Sequence, residues 1–450
     1  MRRLRIALVP LAALALAGAP AGAQPPGAGP VRLTVEEAVA RALAASPRLA
    51  RLTSLQAAAE AQRKGAAAER WPQIEVGAGY QRRSEVPELQ IASPTQDPAK
   101  PLQLVTIFPS IEDNYRLRAG ASLPLYTGGR LSSLVRGAEE GRRAAELDVS
   151  AARADLVLEV KTAYWGFVTA REGARVLREA IGAFDAHLSD ARNRERFGLA
   201  ARNEVLAVQV ERDRAELNLL RAQSGADIAE ANLRRLLDLT PGARVEPSDA
   251  LATPPAASPD VEALVAQASA ARPDRSALAA RASAASALAG AERGARLPQV
   301  ALTAGYSYAN PNRDVVPPAA NWQDTWDVGV SLAWSVFDGG RRSAGEARAR
   351  AQAAAARQQL LELDRAIRLE VTQRSLELRT AEASLAVAER GLESANESRR
   401  VAADRYREGV IPSSELLDAE LAKERAALAR TEAVAALRLA AAGLDRAVGR

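Results

Sequence analysis

Tyr115-Arg-Leu-Arg-Ala-Gly-Ala-Ser-Leu-Pro-Leu-Tyr-Thr-Gly-Gly-Arg130 changes its period partway along. Tyr115, Leu117, Ala119, Ala121, Leu123 and Leu125 alternate with Arg116, Arg118, Gly120, Ser122 and Pro124. A period of two marks a strand with two unlike faces. After Gly128-Gly129 the apolar residues recur every three or four positions, the helical period, as far as Arg196. A strand that passes through two glycines into a very long helix decides the fold, because the glycines ease the change of direction.

The same join returns as Trp326-Asp-Val-Gly-Val-Ser-Leu-Ala-Trp-Ser-Val-Phe-Asp-Gly-Gly-Arg341. Around it the chain is duplicated. Arg70-Trp-Pro-Gln-Ile-Glu-Val-Gly-Ala-Gly-Tyr80 is echoed by Arg296-Leu-Pro-Gln-Val-Ala-Leu-Thr-Ala-Gly-Tyr306, and Gly198-Leu-Ala-Ala-Arg-Asn-Glu-Val-Leu206 by Gly409-Val-Ile-Pro-Ser-Ser-Glu-Leu-Leu417. The offset changes only between the strands, where residues 84–113 form a longer loop than 309–325. The expected order in each half is helix, strand, loop, strand, very long helix, tight turn, long helix.

The first repeat is assigned to 24–238, with strands about 73–83 and 114–125 and long helices about 129–196 and 203–238. A Pro-, Ala- and Ser-rich connector, 239–259, leads to the second repeat, 260–450. That repeat has strands about 299–308 and 326–336 and long helices about 340–406 and 414–447. Thr34 with Glu37 reads as a capping box opening the first helix, Asp260 as the matching N-cap, and Pro72 and Pro298 as stops.

The long helices carry a heptad seam. Leu156, Val160, Ala163, Phe167, Ala170, Ala174, Leu177, Ile181, Phe184 and Leu188 follow steps of four and three. Ile367, Val371, Leu378, Ala381, Leu385, Ala388 and Leu392 repeat it, with Arg374 as the exception. In the return helices Leu206, Val210 and Leu217 correspond to Leu417, Leu421 and Leu428. A helix from Gly129 to Arg196 is roughly 100 Å long at 1.5 Å per residue and needs neighbours throughout, so oligomerisation is expected.

Arg2, Arg3 and Arg5, the apolar run Ile6 to Leu16 and Ala21-Gly22-Ala23 read as a signal peptide, residues 1–23. No later stretch gives about 20 consecutive apolar residues. The strands are 9–11 residues long, enough to cross a bilayer when tilted, and aromatics collect near their ends: Trp71, Tyr80, Tyr115, Tyr126, Tyr306, Trp326, Trp334 and Phe337. A soluble sheet with one wet face has the same alternation. Four strands cannot close a barrel, but several copies can close one together.

Lys+Arg number 60 against 55 Asp+Glu, and the leader alone takes three arginines and no acid. The remainder is near neutral with both signs interleaved, which argues against nucleic acid. There is no cysteine, hence no disulfide, thiolate metal site or N-terminal lipid anchor. His187 is the only histidine and has no partner for metal or catalysis, so a surface or packing role is expected. The Gly-Gly-Arg pairs lack the lysine and serine of a phosphate loop. No cofactor site and no catalytic constellation is found.

These residues together resemble the TolC-type outer-membrane factors. The resemblance rests on the duplication, on Leu33-Thr-Val-Glu-Glu-Ala-Val with Ser46-Pro, and on Arg-x-Pro-Gln before each Gly-Tyr strand. It also rests on Tyr126-Thr-Gly-Gly-Arg, Phe337-Asp-Gly-Gly-Arg and the Gly198-Leu and Gly409-Val turns. It implies a homotrimer whose twelve strands form a barrel in outer-membrane lipid, continued by an α-helical coiled-coil tunnel in the periplasm. It further implies a passive exit duct working with a periplasmic adaptor protein and an inner-membrane transporter. Gly198, Leu199, Gly409 and Val410 would be adaptor-docking tips. Glu415 and Asp418 would be entrance acids, Glu204 their counterpart and Tyr406 the gating tyrosine. Ile411 stands where some members have a gating arginine, for which Arg202 or Arg405 could substitute. The outer channel of a type I protein secretion system and a non-inserting periplasmic scaffold remain alternatives.

Overall fold

The computed structural model describes residues 30–94, 102–251 and 260–450. The signal peptide and residues 252–259 of the connector lie outside them. The elements run β1 (Val31–Leu33), α1 (Val35–Ala45), α2 (Pro47–Ala68), β2 (Gln73–Arg82), β3 (Leu89–Pro94), β4 (Leu102–Phe108), β5 (Asp113–Tyr126), α3 (Arg130–Arg196) and α4 (Arg202–Leu236). Then follow β6 (Val245–Pro247), α5 (Val261–Ala271), α6 (Pro273–Gly294), β7 (Gln299–Asn310), β8 (Gln323–Ala333), α7 (Arg341–Arg407) and α8 (Ser413–Ala447). Among the described residues no helix is long and apolar enough to cross a membrane.

The chain forms two compact units. One comprises Pro47–Asp155, the second half from α5 to Arg379, and Ala441–Arg450. Its antiparallel sheet has the order β2-β5-β7-β8. Register carries the alternation across all four strands. Val76 pairs with Ala119, Ala119 with Tyr306 and Tyr306 with Trp326; Ala121 pairs with Ala304, and Ala304 with Val328. One face is therefore apolar through its middle rows, with Asn310 and Asp324 at its loop end. It is also bare: Val76 is 80 % exposed and Trp326 74 %. At the loop end of this face Tyr80 and Tyr115 sit 5.0 Å apart, and Tyr308 stacks on Trp322 at 4.8 Å. The edges β2 and β8 have no second partner strand among the described residues.

Gly128 (φ +60°) and Gly129 (φ +80°) make the turn from β5 into α3. At Gly128 a Cβ would stand 2.6 Å from the Gly294 carbonyl oxygen, so both the backbone angle and the close approach of α6 require glycine. Arg374, the exception in the α7 seam, lays its Cδ and guanidinium over Gly443 of α8, where a larger residue would crowd it.

The other unit comprises the segment up to Ser46, Leu156 to the connector, and Thr380–Ala440. The capping box forms: Glu37 N donates to Thr34 Oγ1 at 3.2 Å, and Thr34 N to Glu37 Oε2 at 2.8 Å. In α3, Leu156, Val160, Phe167, Ala174, Leu177, Phe184 and Leu188 are buried.

Several expectations need correction. The opening helix of each half is two helices, because Pro47 and Pro273 hold Ser46 and Arg272 extended. The 84–113 loop contains a hairpin, β3 with β4. The second-half strand expected at 326–336 lies at 323–333. The alternation runs past its end, but Trp334 Nε1 instead donates to the Arg296 carbonyl at 3.2 Å. The connector carries a strand of its own, since β6 pairs in parallel with β1 and Arg32 meets Glu246 at 2.8 Å. Tyr164 Oη locks this region, donating to Leu33 O or Asp249 Oδ2, each 2.9 Å away, and burial pushes its phenol well above the usual range.

The return-helix seam is also corrected. Leu206, Val210 and Leu217 are exposed, and α4 buries Val205, Val208, Ala215, Ala226 and Leu233 instead. The helix has two apolar stripes, and only one is covered within a single chain. The second stripe continues through Leu220 and Ile228.

Candidate entrance at the helix tips

Both tips end in the same backbone device. Leu199 N donates to Arg194 O at 2.8 Å and Gly198 N to Glu195 O at 2.9 Å. Val410 N donates to Arg405 O at 2.9 Å and Gly409 N to Tyr406 O at 3.0 Å. These are paired Schellman bonds, with Gly198 at φ +73° and Gly409 at φ +77° in the left-handed position. Leu199, Val410 and the unanticipated Phe197 are exposed on the turns.

The α7–α8 tip has a polar interior. His187 is 3 % exposed rather than on the surface, with Nδ1 3.1 Å from Glu420 Oε2 and Nε2 2.9 Å from Ser413 Oγ. An ionised Glu420 only accepts, so the network assigns the ring proton to Nδ1, and in the neutral ring Nε2 accepts from the Ser413 hydroxyl. Arg399 stands 3.8 Å from the other carboxylate oxygen. Two cations or donors therefore face one buried acid, the condition under which a buried charge is tolerated.

Tyr406 packs edge-on to His187 at 5.2 Å, with Ile411 and Leu416 completing a small core. The Arg194 guanidinium lies 4.2 Å over its ring and donates to the Tyr406 and Arg407 carbonyls at 2.5 and 3.1 Å, capping the end of α7. Tyr406 Oη is buried and makes no hydrogen bond of good geometry; burial pushes the phenol up, against the Arg194 charge and the nearby Ser413 side chain.

The residues assigned to the entrance fall into two groups. Glu415 and Asp418 are exposed on the first turns of α8, Arg202 and Arg405 are exposed, and Glu204 is half-buried in the first turn of α4. None of these five forms an ion pair among the described residues, so all are available to a neighbouring chain. Tyr406 is different, being turned inward against α3 as well as its own helix pair. Ile411 lies beneath it as apolar packing, where the resemblance put an arginine.

Sequence reasoning missed Ser413, Glu420, Arg194 and Arg399. Ser413 and Glu420 are seven apart, hence on one face of α8, which is the one available signal. Which distant residue meets that face is set by packing, not by local pattern.

The outer membrane efflux protein family matches residues 38–238 and 264–450. Protein CyaE of Bordetella pertussis is 34 % identical over 164 residues, 36 % of this chain, and the chain spans only about a third, 34 %, of that curated relative. Among solved structures, the outer-membrane channel OprN superposes with a TM-score of 0.77 at 22 % identity, over 92 % of this chain and 89 % of that one. VceC of Vibrio cholerae gives 0.76 at 20 %, over 92 % and 96 %. The open state of the MtrE channel of Neisseria gonorrhoeae gives 0.76 at 18 %, over 92 % and 88 %. Matched in both halves and sharing the barrel-and-tunnel fold of these channels, the chain belongs to the outer membrane efflux protein family.

Proposed function

We propose that the chain is the exit duct of a tripartite export assembly, a homotrimer that passes small molecules delivered by an inner-membrane transporter through a periplasmic adaptor. The observation that carries this reading is the four-stranded sheet with one bare apolar face and two open edges. Open edges are forbidden in lipid, and copies that pair β8 of one subunit with β2 of the next remove them. The second apolar stripe of α4 supports the same assembly, because it asks for a neighbouring helix. Gly198, Leu199, Gly409 and Val410 form the surface offered to the adaptor.

In the trimer, Glu415 and Asp418 from each copy ring the mouth, with Glu204 beside them and Arg202 and Arg405 available to close it by ion pairs between subunits. Tyr406 serves the gate from within, by holding the α7–α8 tip in shape. A ring of carboxylates favours cations. Glu415→Gln with Asp418→Asn is expected to abolish most of the cation preference of the reconstituted pore; unchanged ion selectivity would remove the ring from the account.

A further inference from the structure

The polar face of the sheet has its own order. Its rows are Glu75–Gly120–Gly305–Asp327, then Gly77–Arg118–Ser307–Thr325, then Gly79–Arg116–Ala309–Gln323. Arg116 and Arg118 therefore each stand beside a glycine, and at Gly77 and Gly79 even an added Cβ would touch nothing within 4 Å. The result is a half-open cleft of about 330 Å³ lined by Gly77, Gly79, Gln81, Asn114, Arg116 and Arg118.

Two further arginines reach this end of the sheet. Arg313 donates to Asn114 Oδ1 from Nε and Nη2, at 3.2 and 2.9 Å, and Arg83 continues the alternation of β2 on the same face. Burial, then the charges of Arg83 and Arg116, lower the Arg313 pKa, so these groups crowd one another. Among the described residues no acid pairs with Arg83, Arg116, Arg118 or Arg313. The contrast is Arg82, on the opposite face, which meets Glu112 at 2.7 Å. The acids nearest this face are Asp314, whose Oδ2 accepts from Thr325 Oγ1 at 3.3 Å, and, in the next row, Glu75 and Asp327, the latter occupying the space over Gly305; none of them reaches an arginine of the cleft.

We propose that this cleft binds a multivalent oxyanion, phosphate- or carboxylate-rich, at the outer mouth of the barrel. The proposal rests on the channel reading, which makes the polar face the lumenal one, so the anion arrives through the pore and not from the lipid. Planar guanidinium groups on neighbouring rows suit bidentate capture of such groups. Four unpaired cations on one face stay together at lowest cost when an anion joins them. With three copies, the barrel would carry a basic belt near its exit, opposite in sign to the acidic tips.

Inorganic tripolyphosphate is the probe. Calorimetry on the detergent-solubilised trimer reads binding whether or not the pore conducts, and planar bilayers of neutral lipid read block from the barrel side. Binding that weakens at least tenfold in Arg116→Gln with Arg118→Gln, and not in Arg82→Gln, is the expected result, with block shifting in parallel. Absence of binding to the wild-type trimer, or equal binding by the double variant, would overturn the proposal. Binding without conductance would uphold the cleft and overturn the channel reading instead.

Discussion

The two tips are copies of one backbone with different interiors. Each turns through a Schellman pair on a left-handed glycine, and Glu204 and Glu415 hold matched places after it. Where the second tip has Ser413, Glu420 and Tyr406, the first has Arg202, Gln209 and Glu195. The second is thereby tied by His187, Arg194 and a buried tyrosine, whereas α4 begins at Ala201 without a side-chain cap. Duplication has kept the turn and left the packing free to diverge. The ties of the second tip run to α3, so the end of α7 and the first turns of α8 are held by their neighbour, whereas the first turn of α4 has no matching side-chain tie.

The largest effect should come from the buried network. His187→Ala leaves Glu420 buried with only the longer Arg399 contact, and should cost about 3 kcal/mol in local stability. Hydrogen exchange at the first turns of α8 would read it, and Gln209→Ala on the first tip should change the matching amides of α4 by less than about 0.5 kcal/mol. Equal effects would break the contrast between the tips.

The next prediction tests what the tips share. Gly198→Ala and Gly409→Ala both place a side chain at positive φ, so each should cost about 1 kcal/mol locally. A large difference between them would show that the turns are not equivalent. A smaller effect has the opposite sign: Tyr406→Phe removes a buried hydroxyl that makes no hydrogen bond of good geometry and should stabilise the second tip by up to about 1 kcal/mol.

The smallest effect depends on pH. Burial chiefly holds the Glu424 carboxyl above its usual range; Arg425 opposes this and Glu211 adds to it. A raised carboxyl pKa means that the native state binds the proton more tightly than the unfolded chain does. Ionisation therefore weakens the fold as pH rises, and the loss fades as pH falls through the raised value. Glu424→Gln should raise the thermal midpoint at neutral pH by a degree or two, and the gain should vanish in acid below the ordinary glutamate range.

Much of the fold was legible because it is written in period. The strand faces, the α3 seam and the Gly-Gly joins repeat over many residues, and burial or register enforces each. What sequence hid had local causes. The alternation at Trp334 and Val336 outlasts β8 because a side-chain bond, not the pattern, ends the strand. The seam assigned through Leu206 in α4 competes with a second apolar stripe through Val205, and only tertiary contact selects between the two. At the tips the exposed residues came from resemblance, whereas the His187–Glu420–Ser413 network joins positions over 220 residues apart and has no local signature.

The central claim is that this sheet closes with its copies into a conducting barrel. Single-channel recording of the purified protein in a planar bilayer, with oligomer mass determined in the same detergent, tests it most directly. The account predicts a trimer with discrete, cation-preferring openings. A monomer that remains in aqueous solution and carries no current would contradict it.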